Sequence, residues 1–331
     1  MPVLESSYSA PFWLHNGHVQ TIWASLFRKP PQPYLWRERL ETPDGDFFDI
    51  DRIPAIPGKQ SSRVVILSHG LEGHSRRSYM LATANALNQK GWDVVARNFR
   101  GCSGEPNRKL RLYHSGETDD LALTVHTCER LGYTTIGLAG FSMGGNQTLK
   151  YAGETILPPS VRAAAGISVP CDLEGAAEVL ARPSRALYMS YFLRTLRDKL
   201  KLKKQKFPDD LDLSGLESIR TFHEFDERFT APMHGFHSAL QYWRESGCIN
   251  VLDTIRIPTL LLNAADDPFL SNSCYPTRQA LANPALTLEI PRWGGHVGFV
   301  DTGHRTAWMA NRIAAFFDGV CGSSNIPSDS N

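Results

Sequence analysis

The segment Gly140-Phe141-Ser142-Met143-Gly144 carries the clearest chemistry in the chain. It is G-x-S-x-G, preceded by the apolar run Thr135–Ala139 and followed by a helical pattern over Gly144–Glu154. At average glycine and serine usage this spacing arises by chance about 0.1 times in a chain of this length, and a strand before and a helix after make chance rarer still. A serine on a tight strand-to-helix turn has its hydroxyl lifted above the sheet edge. The helix N-terminus beside it favours negative charge. A serine hydroxyl is a weak nucleophile, so it needs a base, usually histidine, and a third group that orients the base.

Both partners follow in the order serine, acid, histidine. The apolar run Thr259–Asn263 leads to Asp266-Asp267-Pro268. A carboxylate just past the C-terminal end of a strand lies on the rim where open α/β sheets bind ligands. At this point either aspartate fits. The run Leu286–Ile290 leads to Pro291-Arg292-Trp293-Gly294-Gly295-His296. Of the eleven histidines, His296 has the order and the strand-to-helix loop that a base requires. His304 reads as the start of the last helix, and His69 and His74 precede the serine. The loop His69-Gly70-Leu71-Glu72-Gly73 follows the run Val64–Ser68. The loop after this strand normally carries one oxyanion donor and the residue after the nucleophile the other, which makes the backbone N–H groups of Leu71 and Met143 the expected pair.

These groups need a scaffold, and the rest of the sequence supplies one. Apolar runs at Val64–Ser68, Asp93–Arg97, Thr135–Ala139, Ala163–Val169, Thr259–Asn263 and Leu286–Ile290 read as strands. Helical patterns fall at Ser78–Lys90, Glu117–Leu131, Gly144–Glu154 and His304–Phe317. Strands that are apolar throughout belong to parallel sheets covered on both faces. The alternation therefore predicts an α/β fold with a mostly parallel central sheet and helices on both faces. Arg37–Arg52 reads as two strands around the turn Pro43-Asp44-Gly45. The rhythm breaks between Cys171 and Gly247, where helical patterns run without a clear strand. The expected organisation is a core from 1–170 and 248–320, an inserted helical cap at 171–247, and a disordered polar tail at 322–331. An ordinary long excursion packed beside the sheet is the alternative to a cap.

Composition narrows the partners. The 331 residues carry a formal net charge of +1, so no global bias points to nucleic acid or an acidic substrate. The six cysteines are scattered without a C-x-x-C pair, which leaves a zinc site, redox dithiol or disulfide framework unsupported. Neither a secretory leader nor a membrane-spanning run is visible, and the expectation is a cytoplasmic protein. No phosphate-binding loop and no H-E-x-x-H occurs, so no cofactor or metal is expected. Met189, Leu193, Leu196 and Leu200 form an apolar stripe among Arg194, Arg197, Lys199, Lys201, Lys203, Lys204 and Lys206. Such a helix can make weak contact with an anionic membrane surface. The preferred reading is a solvated cap helix with its apolar face on the site. Arg97 and Arg100 are expected to brace the loops around Ser142 through backbone carbonyls, the alternative being contact with an acidic substrate group.

Taken together, these segments resemble the YheT-like branch of the α/β-hydrolase superfamily, also called AB-hydrolase family 4. The resemblance runs from Pro11 to Phe317 and rests on Asn16-Gly17-His18-Val19-Gln20-Thr21, the His69–Gly73 and Arg97–Gly104 segments, and Gly140–Gly145. It continues through Phe225-Asp226 with Phe229-Thr230, Asp266-Asp267-Pro268-Phe269 and Gly294–Phe299. It implies a carboxylester hydrolase whose triad is Ser142, Asp267 and His296. Asp267 is favoured over Asp266 because it directly precedes the proline, as the acid often does in related hydrolases. The resulting expectation is a serine esterase acting on small-molecule esters with short- to medium-chain acyl groups through an acyl-enzyme. Acyl transfer to an alcohol by the same residues and a catalytically silent ligand-binding protein are the alternatives.

Overall fold

Nine short segments build the sheet, the central ones buried on both faces and the edge strand Trp36–Glu41 largely exposed. They are β1 (Val3–Leu4), β2 (Trp36–Glu41), β3 (Phe47–Ile53), β4 (Arg63–Ser68), β5 (Asp93–Arg97), β6 (Thr135–Phe141), β7 (Val161–Ile167), β8 (Thr259–Leu262) and β9 (Leu286–Glu289). The structure, a computed structural model, describes residues 2–301 apart from 31 and 155, and residues 308–322. The strand order is β1-β9-β8-β7-β6-β4-β5-β3-β2. Every pairing from β5 across to β1 is parallel, and the β2–β3 hairpin joins β5 antiparallel. The hairpin turns where Pro43-Asp44-Gly45 was expected to turn it, with Gly45 at φ 77°.

Eleven α-helices are described: α1 (Gly17–Phe27), α2 (Ser78–Asn88), α3 (Asp119–Arg130), α4 (Met143–Glu154), α5 (Leu173–Leu180), α6 (Ala186–Lys206), α7 (Phe222–Phe225), α8 (Ala231–Met233), α9 (Ala239–Ser246), α10 (Thr277–Ala282) and α11 (Trp308–Cys321). Side chains of a strand alternate between faces, and β4 shows it. Val64 and Ile66 pack with Leu121, Val125 and Leu149 of α3 and α4. Val65 and Leu67 pack with Met80, Leu87, Met309 and Phe317 of α2 and α11. Parallel strands buried on both faces are the expected result of this arrangement.

Helices α5 to α9 fall between β7 and β8, within 171–247. The stripe Met189, Leu193, Leu196 and Leu200 of α6 is buried against Leu112, Leu180, Phe225 and Phe229. The basic residues of α6 do not form one solvated face. Lys199 Nζ lies 2.7 Å from Glu72 Oε1 and 2.9 Å from Cys102 Sγ. Lys203 donates to the backbone carbonyls of Asn107 (2.9 Å) and Lys109, and Arg197 to those of Leu216 (3.2 Å) and Ile219.

The structure departs from the sequence reading in several places, among them β7, which runs over Val161–Ile167 rather than the expected Ala163–Val169. The expected brace runs through side chains: Arg100 forks onto Asp120 at 2.8 and 2.9 Å and also reaches Asp44 and Asp46, while Arg97 donates to Gln147 Oε1 at 2.9 Å. Helix α1 and strand β1 were not anticipated. The last helix continues past Phe317 to Cys321. Its expected start at His304 lies outside the described residues, as do residues 323–331 of the expected tail.

Candidate active site

Strand β6 delivers Ser142 to a backbone conformation that few side chains adopt. Its φ is 53°, in the left-handed region. The turn is held by Ser142 N donating to Ile167 O at 2.8 Å and by Asn146 N donating to Ser142 O at 3.0 Å. Glycine at the two flanking positions is obligatory on steric grounds. A Cβ on Gly140 would lie 2.1 Å from Gly144 O, and one on Gly144 would lie 2.3 Å from His69 O. Gly144→Ala is therefore expected to destabilise the fold by about 3 kcal/mol. Chemical denaturation measures this, and an unchanged midpoint would show that the turn relaxes freely.

The loop after β4 is fixed on both sides of Leu71. Tyr79 Oη accepts from Gly70 N at 3.0 Å, and Tyr113 Oη accepts from Glu72 N at 3.1 Å. Glu72 sits at φ 54°, and its carboxylate accepts from Tyr113 Oη and Lys199 Nζ. Buried His69 bonds Gly70 O through Nδ1 (2.7 Å) and accepts Phe99 N through Nε2 (3.1 Å). Burial holds its pKa well below the ordinary imidazole value, so it is a neutral strut. Between these anchors the N–H of Leu71 has no hydrogen-bond acceptor among the described residues. Neither has the N–H of Met143, the first residue of α4. Leu71, Ser142 and Met143 line one cavity.

The two aspartates after β8 separate cleanly. Asp267 Oδ2 and Oδ1 lie 2.9 and 3.1 Å from His296 Nδ1. Asp266 Oδ1 accepts instead from Gly295 N at 2.9 Å. Burial raises the Asp266 pKa, and the neighbouring Asp267 charge adds to this. The His296 loop is clamped from two directions. His296 N donates to Thr21 Oγ1 of α1 at 2.8 Å, and Val297 N donates to Ser168 Oγ just past β7 at 2.9 Å. The ring of His296 packs at 4.2 Å, centroid to centroid, on Phe269, which lines the cavity. No hydrogen bond joins Ser142 Oγ to His296 in this structure. Catalytic contacts commonly tighten only once substrate is bound.

The cavity extends from Ser142 under the helices of 171–247, with an empty volume of about 980 Å³ including its mouth. Its walls include Leu180, Phe192, Leu196, Phe225 and Phe229. Polar groups also face it. Asp226 lies on the π-helical turn Asp226–Thr230, with Oδ1 accepting from Thr230 Oγ1 (2.6 Å) and Oδ2 from Trp243 Nε1 (2.8 Å). Burial pushes this carboxyl up to about 6. Burial also lowers the pKa of His234 to about 3 and holds that of His114 well below the ordinary imidazole range.

Sequence reasoning had named Ser142, Leu71, Met143, Asp267 and His296, and it left Thr21, Tyr79, Tyr113 and Lys199 without a part in the site. Thr21 and Asp226 fell inside segments that carried the family resemblance. Thr21 acts through the docking of α1 on the His296 loop and Asp226 through the packing of its turn on α9, and the sequence shows neither contact.

The chain matches the family described as the alpha/beta hydrolase fold over residues 63–302. It is 34% identical over 303 residues to YheT of Escherichia coli (strain K12), covering 90% of this chain and 89% of that one. It is 31% identical over 307 residues to the phospholipase ABHD3 of Mus musculus, covering 91% of this chain and 75% of that one. Among solved structures, the Pyrococcus furiosus esterase Pf2001 superposes with a TM-score of 0.58 at 16% identity. That match covers 89% of this chain and 100% of that one, and it speaks to the fold alone.

Proposed function

The chain belongs to the α/β-hydrolase family and to its YheT-like branch, and from that premise we propose that it is a serine carboxylesterase acting through Ser142, His296 and Asp267. Membership of the family makes the chain a hydrolase of the α/β fold. The serine esterase reading is carried by the wall of the cavity at Ser142. There a strained serine stands with two backbone N–H groups, those of Leu71 and Met143, that have no acceptor among the described residues.

In this mechanism His296 takes the proton from Ser142 Oγ as that oxygen bonds to the ester carbonyl carbon. The carbonyl oxygen becomes an oxyanion, held by the N–H groups of Leu71 and Met143. Asp267 keeps the Nδ1 proton on His296 and stabilises the imidazolium. The C–O bond to the alcohol then breaks, and His296 gives the leaving oxygen its proton. Water, deprotonated in turn by His296, cleaves the acyl-serine and releases the acid. The segment 171–247 acts as a cap over the acyl group, and its leucine and phenylalanine walls favour short- to medium-chain acyl groups. Hydrolysis of p-nitrophenyl esters from acetate to palmitate tests the proposal. An optimum at short or medium length is expected, and no turnover of any ester by folded protein would overturn the reading.

Asp226 gives the cap a pH signature. Its folded pKa of about 6 lies above the ordinary value of 3.8, so the folded protein holds this proton more tightly than the unfolded chain does. The stability tied to that proton is full below about pH 4 and is lost as pH rises through about 6. Thermal melts of Asp226→Asn are expected to lack this decline. A variant with the parent's slope over the same range would assign the decline to another group.

A further inference from the structure

Helix α1 is amphipathic the wrong way round for a helix on a protein surrounded by water. The face it turns to the protein carries Gly17, Gln20, Thr21 and Ala24, three of them buried and Thr21 partly so. The face it turns outward carries Val19, Ile22, Trp23, Leu26 and Phe27, all exposed. A surface helix of a globular protein ordinarily points its apolar stripe at the core. The inner face here has other work: Gly17 lies against Asp266, Gln20 bonds Tyr8 and Val300, and Thr21 holds His296 N.

The patch continues beyond the helix. Phe12 and Trp13, just before α1, are 85% and 45% exposed. Trp13 packs edge-on to Trp23 at 5.0 Å, and Trp23 packs on Phe27 at 4.4 Å. Leu187 and Tyr191 extend the patch onto α6, whose Tyr188 stacks on His18 and bonds His18 Nδ1 at 3.1 Å. Patches of this kind on soluble proteins mark interaction sites.

The charges around the patch identify the partner. No acidic residue occurs between Glu5 and Glu38. Lys29, Arg194 and Arg292 are exposed at its rim and form no ion pair among the described residues. Arg194 lies over Tyr191, and Arg292 over Trp293, which stacks on His15. An aromatic and aliphatic face ringed by unpaired cations matches the headgroup boundary of an anionic bilayer, where Trp and Tyr settle and each basic residue adds attraction.

We propose that the outer face of α1, with Phe12, Trp13 and the rim cations, is a docking surface for an anionic lipid bilayer. The helix lies flat in the headgroup region rather than crossing it, since no described helix is long and apolar enough to span a membrane. Two side chains separate this helix from the proposed catalytic groups: His18 touches Tyr188, Tyr188 packs on Phe269, and Phe269 packs on His296 and lines the cavity. An acyl chain leaving the bilayer there would have a short path to Ser142. The docking claim does not depend on turnover, so it stands or falls apart from the esterase proposal.

The test is flotation of the full chain with vesicles of phosphatidylcholine containing one quarter phosphatidylserine, and with phosphatidylcholine alone. The parent is expected to float with the anionic vesicles at low salt, less so at high salt, and weakly with the neutral ones. The triple variant Ile22→Ser, Trp23→Ser, Leu26→Ser is expected to reduce partitioning at least about tenfold, with circular dichroism and melting confirming that it folds. The replaced side chains lie on the exposed face, and the packing they lose is with their neighbours Trp13 and Phe27 rather than with the core. Quenching of parent tryptophan fluorescence by brominated lipid gives a second readout without substitution. Parent protein that neither floats nor is quenched would overturn the proposal, as would a variant that floats like the parent. A concentration-dependent dimer that the variant abolishes, without vesicle binding by the parent, would instead assign the patch to a second copy of this chain.

Discussion

Ser142→Ala is expected to lower kcat for p-nitrophenyl ester hydrolysis by about 10⁵-fold or more while the protein keeps its melting temperature. The size follows from the part proposed for the hydroxyl. In that mechanism its loss removes the covalent intermediate, and water must attack the carbonyl directly, with only the Leu71 and Met143 donors and the cavity to help. The fold should not suffer, because the strain at φ 53° and the hydrogen bonds that hold the turn belong to the backbone. Alanine meets the same positive φ as serine. The two measurements are therefore separable: stopped turnover in an intact fold means chemistry at Ser142, whereas residual activity within about tenfold of the parent would remove serine from the mechanism.

The second large effect distinguishes two adjacent carboxylates. Asp267→Asn is expected to reduce kcat about 10⁴-fold, because an amide beside Nδ1 stabilises the wrong tautomer and cannot stabilise the imidazolium. Asp266→Asn removes charge from a group whose observed bond is to Gly295 N at 2.9 Å. Such a change acts on the base only by way of the loop backbone, and a loss within about tenfold is expected, the worth of one hydrogen bond. Steady-state kinetics of the two variants side by side decide the matter. Equal losses would mean that the pair works as a unit, and the reverse order would move the acid to Asp266.

The centre of the sheet was legible because its strands are buried on both faces. Val64–Ser68, Asp93–Arg97 and Leu286–Ile290 stand out as apolar runs, and the structure reproduces each within a residue at either end. Ser142 and His296 were legible as candidates because glycines must crowd them, and the contacts of Gly140 and Gly144 show why. Helix α1 escaped notice because its apolar residues face outward, so the usual rule assigns them to a core that is not there. Strand β1 is a two-residue edge, too short for any period. The brace around Arg100 was expected on carbonyls because Asp44, Asp46 and Asp120 are distant in sequence and meet only when the hairpin and α3 converge. Lys199 looked like one of many surface cations, and only the position of α6 over the Leu71 loop makes it a partner of Glu72.

The clamp between Thr21 and His296 spans 275 positions of the chain. It joins the first helix to the last loop before α11, and near it β1 closes the sheet against β9. Contacts over such a distance form slowly, because a long loop must close before the contact rewards it. The β1–β9 pairing is farther apart still in sequence, so the edge of the sheet and the His296 loop reach register together, after the more local strands and helices. A newly made chain can thus hold most of its secondary structure while the loop that carries His296 still lacks its clamp.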